Sequence, residues 1–571
     1  MTRFVLAASR GDRPEWLTAQ SLTDATAFWW QDDGGDLTPP PAVDLGSNVA
    51  TVVMQSGLAP SNGTSVPGNT SNSLRLATGD AAIGDPSDSF IDGVAVTASQ
   101  DRITCQVDLL GSRSLVVYFD DDLFFVSTSQ LALLRLLRSS GQADRSPQSS
   151  AIAWMLSCGS LGPAGTWDQR LHLVPPGGSI TLNRETWSLN EEAGRDPGDP
   201  FAPTYDRSGS DLEAVIQDVF RQGREYGSHW TLGLSGGMDS RAVLAYLRAS
   251  QPIDCFSTGS DQERRVDTSD VAIAKRVAQH FDVPHHTVGN DPGDEPPATV
   301  IRRYVAQSEG LIDHITGYVD GFHTFRSLRE RGYDGVVRGD KTFAWSKVNF
   351  DDEVYRIVGL PYFGMIPGLA SRSGCEHLVE AGDPPEWMTR RVGENLTDWR
   401  DRMYQYVRVP TALSALTNTK ASFVDVTNPL LAPSIIETAR RLPPALRNGR
   451  DIFKHLPEVA TLRIPCSTTD RGTLATHFMQ RPGSTAELRR GLESSAAAEC
   501  LPQSLIAVAL SSLDRPRGRD PRQPAKSQVR RLVPKSIWQF AKRRLPPPSV
   551  APQTLALRCY LVSRVRELIA E

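Results

Sequence analysis

A segment that changes from a strand pattern to glycines and then to a helix pattern, WTLGLSGGMDSRAVLAYL, occupies residues 230–247. Its apolar run ends at Ser235-Gly236-Gly237, and an acid, Asp239, and a hydroxyl, Ser240, open the helical pattern. Such a turn predicts an α/β unit in which backbone N–H groups and the positive end of a helix dipole converge, and this favours phosphate binding. Because a carboxylate does not bind bare phosphate, Asp239 predicts a bridging Mg²⁺.

Helix and strand patterns alternate on both sides of this loop. The predicted helices are residues 211–224, 240–250 and 268–281, and the predicted strands are residues 231–234, 253–258 and 285–288. This order predicts an α/β domain with a parallel sheet that is wound by helices on both faces. The Gly-rich loop then lies at the carboxyl end of a strand, where such sheets bind ligands.

The first third of the chain is rich in strand patterns instead. Apolar or alternating runs occupy residues 103–109, 115–119, 123–127 and 178–182. A Ser/Gly/Asn/Pro/Asp-rich stretch at 56–89 predicts a mobile loop, and a Pro/Gly/Asp-rich break at 191–211 predicts an interdomain linker. We therefore predict three regions: a β-rich domain at 1–195, the parallel-sheet domain at 205–465, and a helical, basic extension at 466–571.

Composition excludes several classes of protein. With 571 residues and a net charge of −5, the chain has no basic excess that would indicate nucleic-acid binding. Its seven cysteines are odd in number and form no CxxC, which favours reduced thiols in a cytoplasmic protein. The first residues do not have the pattern of a secretory signal. No apolar run approaches the ~20 residues that span a bilayer.

Residues 515–544 form a basic segment with eleven Arg or Lys residues and a single acid, Asp520. One interpretation is a solvated connector. The other is a docking surface for an acidic or amphipathic peptide partner.

The Gly-rich loop resembles the pyrophosphate loop of ATP pyrophosphatases, which cleave ATP between its α- and β-phosphates. Further segments resemble the asparagine synthetase superfamily in order and spacing across 205–465. The matching segments are residues 255–259, 267–274, 335–340 and 428–444, together with Lys454. Ala432 departs from the family pattern, which has an aspartate there.

This resemblance implies an amide ligase that forms an acyl-adenylate from ATP and releases AMP and pyrophosphate, with Mg²⁺ as cofactor. The residues it implies for ATP and pyrophosphate are Leu234, Ser235, Gly236, Gly237, Asp239, Ser240, Thr258 and Gly339. Asp239 and Asp340 are the implied Mg²⁺ ligands, and Lys454 and Asp340 are the implied catalytic residues. Lys454 would stabilise charge on the α-phosphate, and backbone groups of Leu234 and Thr258 would flank adenine and ribose. Asp267 and Asp270 are interpreted as helix N-terminal acids with at most an indirect role.

The N-terminal region resembles the family's glutaminase domain, a β-sandwich of the Ntn type, at residues 108–113 and 173–177. The glutaminase nucleophile is a cysteine exposed when Met1 is removed, but position 2 here is Thr2. A hydroxyl is a much weaker nucleophile than a thiolate near neutral pH. We therefore expect a domain without glutaminase activity, and an amine that comes from the substrate itself.

Ring-closing branches of the superfamily lack the same nucleophile. Where the family has a general base, this chain has Val336-Val337-Arg338, and Lys341 replaces the usual glutamate. A peptide α-amine, with a pKa near ~8, needs little help from a base. The sequence therefore favours a lasso-peptide cyclase, which joins an Asp or Glu side chain of a core peptide to its N-terminal amine. Its expected partners are the precursor peptide, a leader peptidase and a leader-binding protein.

Three other interpretations remain open. One is a glutamine-hydrolysing amidotransferase of the asparagine synthetase type, which steady glutamate release would indicate. Another is small-molecule ring closure of the β-lactam synthetase type, and the third is a scaffold that keeps the fold without activity. The scaffold gains support if no peptide substrate ever yields AMP.

Overall fold

The protein is described by a computed structural model. It covers residues 3–10, 15–18, 43–44, 49–54, 74–78, 93–99, 101–141, 146–194, 210–222, 229–289, 294–315, 321–366, 368–421, 423–449, 451–454, 456, 459, 462–467, 478–514 and 550–571. Thr2, most of the expected linker and the basic segment at 515–544 lie outside these residues. The predictions made for them therefore stay predictions.

The N-terminal region contains two β-sheets. Its strands are β1 (Arg3–Ser9), β2 (Val43–Asp44), β3 (Val49–Met54), β4 (Leu74–Thr78), β5 (Val94–Ala98), β6 (Arg102–Val107), β7 (Val116–Phe119), β8 (Leu123–Ser127), β9 (His172–Leu173), β10 (Ser179–Asn183) and β11 (Ser188–Glu192). One sheet has the order β2-β3-β1-β8-β7-β9 and the other β11-β10-β6-β5-β4. Every pair is antiparallel except β4 with β5.

Side chains that alternate along β1 divide between two cores. Phe4 and Leu6 pack between the two sheets, whereas Val5 and Ala7 face the opposite side of their sheet. That side belongs to an apolar cluster shared with two helices, α1 (Gln130–Ser139) and α2 (Ser149–Cys158). The four predicted strands of this region are present, with bounds within two residues.

Two expectations for this region were wrong or incomplete. The stretch at 56–89 is not simply a loop, because β4 lies within it and pairs with β5. Helices α1 and α2, which cover the outer face of the first sheet, are also absent from the prediction. The N-terminal region is therefore a two-layer β-structure with a helical layer.

The second part of the chain forms a five-stranded parallel sheet. Its strands are β12 (Trp230–Gly233), β13 (Asp254–Thr258), β14 (His285–Val288), β15 (Gly335–Val337) and β16 (Asp425–Thr427), in the order β14-β13-β12-β15-β16. All four strand pairs are parallel, as the sequence predicts. The predicted helices and strands between 211 and 288 are present with bounds within two residues.

Helices cover both faces of this sheet. The described helices are α3 (Ser210–Gln222), α4 (Met238–Ser250), α5 (Asp261–Arg264), α6 (Asp270–His280), α7 (Pro297–Ser308), α8 (Gly321–Glu330), α9 (Asp351–Ile357), α10 (Glu376–Ala381), α11 (Leu396–Met403), α12 (Ser414–Ala421), α13 (Pro433–Arg441), α14 (Pro444–Arg447) and α15 (Asp451–Lys454). A π-helix, Tyr404–Leu413, joins α11 to α12, and short 3₁₀ turns occupy Gly162–Ala164, Phe363–Met365, Glu386–Met388 and Pro429–Leu431. Leu232 and Val337 pack with α3, α4 and α6, whereas Val336 packs with α7 and α8 on the other face.

The described part of the C-terminal region is mostly helical, with α16 (Pro482–Leu492), α17 (Ser495–Cys500), α18 (Gln503–Leu513) and α19 (Pro552–Ala570). Buried residues of α19 belong to the same apolar cluster as residues of α2 and α7. This cluster therefore draws on all three regions predicted from the sequence. None of the helices among the described residues combines the length and the apolar character needed to cross a bilayer.

A buried carboxylate on α16 forms hydrogen bonds with residues of its own and neighbouring helices. Glu487 accepts hydrogen bonds of 2.7 Å from Arg302, Arg490 and the Tyr560 hydroxyl. Burial acts to raise the pKa of Glu487, but these hydrogen bonds outweigh it and lower the pKa to about 2. A carboxyl group with a depressed pKa stabilises the folded state above its unfolded pKa, and this stability is lost as the pH falls toward 2.

We predict that Glu487→Gln lowers the free energy of unfolding at pH 7 by on the order of 2 kcal/mol, after allowing for the partial exposure of the arginines. The difference from the unsubstituted protein should shrink as the pH falls from about 4.5 toward 2, because Glu487 itself then becomes neutral. Denaturant titrations at several pH values measure this difference. Glu493→Gln, in an exposed ion pair next to α16, is the control. A difference that stays constant between pH 7 and pH 3 contradicts the prediction.

Candidate functional site

The carboxyl edge of the parallel sheet opens into a cavity of about 550 Å³. Strands β12, β13 and β15 end at its wall, and β12 continues there into the Gly-rich loop and α4. The order of strand addition reverses between β12 and β15, and open α/β sheets bind ligands at such switch points. Nine predicted residues line this cavity: Leu234, Ser235, Gly236, Gly237, Asp239, Ser240, Thr258, Gly339 and Asp340.

Side chains hold the Gly-rich loop in shape. Ser240 Oγ accepts a hydrogen bond from Ser235 N at 3.0 Å, and Ser235 Oγ accepts one from Gly237 N at 3.2 Å. Asp270, the first residue of α6, accepts a hydrogen bond from Gly236 N at 3.0 Å. Asp270 therefore shapes the loop and lies in the cavity wall. The backbone N–H groups of 235–237 donate to side chains. The N–H groups at the start of α4 are therefore the ones available to bind an anion.

Helix α4 begins at the cavity without a side-chain cap. Gly237 occupies the cap position, and the first N–H groups of a helix have no carbonyl partner within it. The end of β15 lies close to this first turn. A Cβ at Gly339 would stand 3.1 Å from Ser240 N and 3.2 Å from the carbonyl carbon of Asp239. The absence of a side chain at 339 leaves this close approach possible, and the uncapped helix start favours negative charge.

Asp340 directly follows the Arg338-Gly339 pair at the end of β15. Arg338 Nε donates to Asp340 Oδ2 at 2.8 Å. Burial acts to raise the pKa of Asp340, but the charge and hydrogen bond of Arg338, together with the charge of Lys420, lower it overall. Asp340 is therefore a carboxylate at neutral pH. In the sequence Arg338 is only a departure from the family pattern, whereas the structure places it in the cavity wall.

Asp239 forms an ion pair with Lys341, whose Nζ lies 3.1 Å from Asp239 Oδ1. The Lys341 side chain is 2 % exposed, and that of Asp239 is 25 % exposed. The ammonium also lies over the rings of Trp345, at 4.7 Å, and Phe453, at 5.3 Å. Ring faces attract cations, so these contacts add to the ion pair. A fixed positive charge therefore adjoins the predicted metal ligand, at a position where the family resemblance implies a glutamate.

Lys454 is the last residue of α15. Its side chain lies outside the described part of the structure, so its catalytic role stays a prediction. The backbone N–H of Leu234 donates to Phe256 O at 2.8 Å. The backbone contact of Leu234 with adenine that the resemblance implies stays a prediction.

Two residues that the sequence analysis did not assign to the site, Cys466 and Ser467, also line the cavity. Ser467 N donates to Gly236 O at 3.1 Å. The fully buried Arg241 holds this segment in place, because its guanidinium donates to Ile464 O at 2.6 Å and to Gly236 O at 3.1 Å. The predicted boundary between 465 and 466 therefore runs through the cavity wall. The sequence does contain a signal for this contact, because Arg241 interrupts the apolar pattern of the helix that follows the loop.

The N-terminal turn that resembles the glutaminase motif is ordered by Asp108. Its carboxylate accepts hydrogen bonds from Gly93 N, Leu110 N and Ser112 N. Next along the chain, Arg113 Nη2 donates to Asp425 Oδ1 at 2.9 Å, and both side chains are buried. Asp425 begins β16 of the parallel sheet. This turn therefore connects the N-terminal region to the sheet that carries the cavity.

Comparison with known proteins gives one family match. Residues 215–318 match the family model described as asparagine synthase. The matched stretch contains the Gly-rich loop and Asp270, whereas Gly339 and Asp340 lie beyond it. The match supports the asparagine synthetase superfamily, whose members are ATP-using enzymes of the ligase type that form amide bonds. No curated protein matches the chain.

Proposed function

We propose that this protein is an ATP-dependent macrolactam synthetase of lasso-peptide biosynthesis. It activates an Asp or Glu side chain of a core peptide as an acyl-adenylate, and the N-terminal amine of the peptide then closes the ring. The observation that carries the ATP-dependent step is the cavity that is lined by the uncapped start of α4, which includes Asp239, and by Asp340. Such a site suits a pyrophosphate leaving group, which carries several negative charges.

The residues of this site fit a Mg²⁺ ion that is bound together with a nucleotide. Among the described residues no group of three or more His, Cys, Asp or Glu side chains could hold a metal by itself. Asp239 and Asp340 would contribute carboxylate oxygens, and phosphate oxygens and water would complete the shell. When bound, the ion would neutralise charge on the phosphates. Lys341 and Arg338 would hold the two carboxylates in place.

The reaction divides into an adenylation step and an amide-forming step. The substrate carboxylate attacks the α-phosphate, the bond between the α- and β-phosphates breaks, and the start of α4 retains pyrophosphate. The peptide amine then attacks the acyl carbon, loses a proton, and AMP leaves. Holding the amine and the acyl-adenylate together makes closure effectively unimolecular, so it can outrun hydrolysis.

The acidic side chains of the cavity already have hydrogen-bond or ion-pair partners, so none of them is free to act as a general base. This supports a peptide amine as the nucleophile. Asp239 pairs with Lys341, Asp270 accepts from Gly236 N, and Asp340 pairs with Arg338. His314 and His323, the two histidines in the stretch before β15, do not line this cavity: His323 pairs with Glu295 at 2.9 Å, and His314 lines a different cavity. A peptide amine with a pKa near ~8 is already partly neutral and needs little base catalysis.

A direct test combines the purified protein with ATP, Mg²⁺ and a leader-free core peptide. We expect a product one water lighter than the peptide, with one AMP and one pyrophosphate formed for each ring. Mass spectrometry should place the link between the N-terminal amine and an Asp or Glu side chain. An N-acetylated core peptide is the control, because it can be adenylated but cannot close.

Other products identify the rival functions. Free asparagine with glutamate released from glutamine indicates an amidotransferase, and a β-lactam from a small substrate indicates the other ring-closing chemistry. If ADP rather than AMP accumulates, the adenylation step itself is wrong. If AMP forms and the peptide stays open, the macrolactam assignment is wrong although adenylation stands.

A further inference from the structure

A second cavity, of about 480 Å³, shares none of its lining residues with the first. Its wall is built from separate parts of the chain: the end of α2, the segment 312–314, the segment 356–361, the π-helix and α19. The bend after α2 depends on Gly159, which has a φ of +74°. A Cβ there would lie 2.3 Å from the Asp313 carboxyl group. The wall is therefore closely packed where the N-terminal region meets the rest of the protein.

Three arginines line this cavity, and two of them have partners. Arg558 Nε donates to Asp313 Oδ2 at 2.6 Å, and its Nη1 donates to the carbonyls of Leu156 and Ser157 at the end of α2. Those carbonyls carry the negative end of a helix dipole, so the charge of Arg558 is well compensated. Arg356 pairs with Asp352, one turn earlier in α9.

The side chain of Arg408, the third arginine, is half-buried and makes no hydrogen bond or ion pair with any described residue. Its guanidinium lies against Gly359, where a Cβ would stand 3.0 Å from Arg408 Nη1. An arginine stays protonated in proteins, so this position carries a full positive charge without a counter-charge from the described residues. Partly desolvating such a charge is unfavourable unless an anion joins it.

The other titratable groups of the wall do not supply that anion. Asp313 is already paired with Arg558. Burial, together with the charges of Arg408 and Lys420, lowers the pKa of His314 to about 4 despite the nearby Asp313, so His314 is neutral at pH 7. Burial raises the pKa of the Cys158 thiol, so it is neutral as well. The cavity therefore keeps a net positive charge at neutral pH.

Arg408 also lies on a helix of an unusual type. The π-helix that carries it contains Pro410, which has no N–H to donate within a helix. π-Helical turns are rare and occur frequently at functional sites. The position of Arg408 over the cavity thus depends on a wider helical turn.

We propose that this cavity binds an organic anion, and that the carboxylate or phosphate of this ligand pairs with Arg408. Ligand pockets typically measure 300–1,000 Å³, so about 480 Å³ admits a small acid or the acidic end of a peptide rather than a bare ion alone. Arg408 supplies charge and a planar set of donors that can bind two oxygens of one group. This proposal concerns a site apart from the ATP-directed cavity and does not depend on the proposed function.

Calorimetric titration of the full-length protein tests it at low ionic strength, where charge pairing is strongest. The titrants are succinate, acetyl-triglycine with a free carboxylate, and inorganic phosphate, which separate a small acid, a peptide terminus and a phosphate as sources. We expect saturable binding of at least one titrant in the wild type. Arg408→Met should weaken it at least about tenfold, as expected for loss of a charged hydrogen bond. Arg408→Lys should weaken it less.

Arg441→Met removes the same charge at an exposed position and should leave binding unchanged. If Arg408→Met does not fold, Arg408→Gln gives the same comparison with a polar side chain. Absence of saturable binding of all three titrants to the wild type up to about 10 mM overturns the proposal. Equal binding to the wild type and to the neutral Arg408 variant also overturns it, because the titrant then occupies another site such as the Gly-rich loop.

Discussion

Replacing Asp239 with asparagine is expected to lower the rate of AMP formation by roughly 100- to 1,000-fold, the usual loss when one preorganised charge-stabilising group is removed from an active site. Asp239 lines the cavity at the uncapped start of α4 and is one of two carboxylates placed to hold Mg²⁺ there. Asparagine keeps the shape of the side chain but removes its charge. Pyrophosphate release at saturating ATP and core peptide measures the effect.

The substitution has a second consequence that must be separated from the first. Asp239→Asn leaves the buried ammonium of Lys341 without its ion pair, which costs folding stability. The double variant Asp239→Asn/Lys341→Met removes both charges and should regain stability while remaining inactive. If the double variant regains activity, Asp239 serves only to neutralise Lys341.

Asp270→Asn is the matched control in the same cavity. Its side-chain carbonyl can still accept the hydrogen bond from Gly236 N, so the loop keeps its shape. We expect less than about a tenfold loss, close to the effect of weakening one hydrogen bond. Equal losses in the Asp239 and Asp270 variants would falsify a metal role that is specific to Asp239.

The parallel sheet was predictable because its signals are local. Between 211 and 288 the apolar period changes from helix to strand and back, and each change coincides with an observed element boundary within two residues. Strand β4 was missed because its pairing with β5 is not visible in its own Ser- and Gly-rich surroundings. Helix α2 is buried on every side and therefore lacks an amphipathic period. Helix α1 did have a signal, since Ser129 caps an amphipathic run.

The candidate site was predictable only where one continuous motif supplies it. The Gly-rich loop identifies its own residues, and the end of β15 adds Gly339 and Asp340. The ion pair between Lys341 and Asp239 joins positions about a hundred residues apart along the sequence, so no local pattern reveals it. Ser467 reaches the loop through backbone hydrogen bonding, which depends on the tertiary fold rather than on its residue type.

A buried ionic network supports the helical layer next to the site. Asp401 has a fully buried side chain, and its carboxylate accepts hydrogen bonds from Arg400 at 2.7 Å and from Arg447. Both arginines are also fully buried. Arg400 continues the network toward the cavity, because its Nη1 donates to Trp345 O at 3.3 Å and to Ser346 O at 2.9 Å. Trp345 is the ring that lies beneath the Lys341 ammonium.

Asp401→Asn is expected to lower the free energy of unfolding by about 3–5 kcal/mol, because it leaves the buried guanidinium of Arg400 without a counter-charge and that of Arg447 with Asp398 alone. Chemical denaturation at pH 7 measures this loss. Asp351→Asn, which removes a carboxylate from an exposed ion pair with Arg390, is the control and should cost less than about 1 kcal/mol. A loss of similar size in both variants contradicts the assignment of stability to the buried network.

The same substitution should also affect the site in the fraction of protein that remains folded. Losing charge at Asp401 frees Arg400 to move away from the Trp345 carbonyl, and Trp345 then fixes Lys341 and Asp239 less well. We therefore expect KM for ATP to rise several-fold at a temperature where Asp401→Asn is still folded, with no such change for Asp351→Asn. An unchanged KM would mean that the network stabilises the helices without positioning the carboxylate that faces the phosphates.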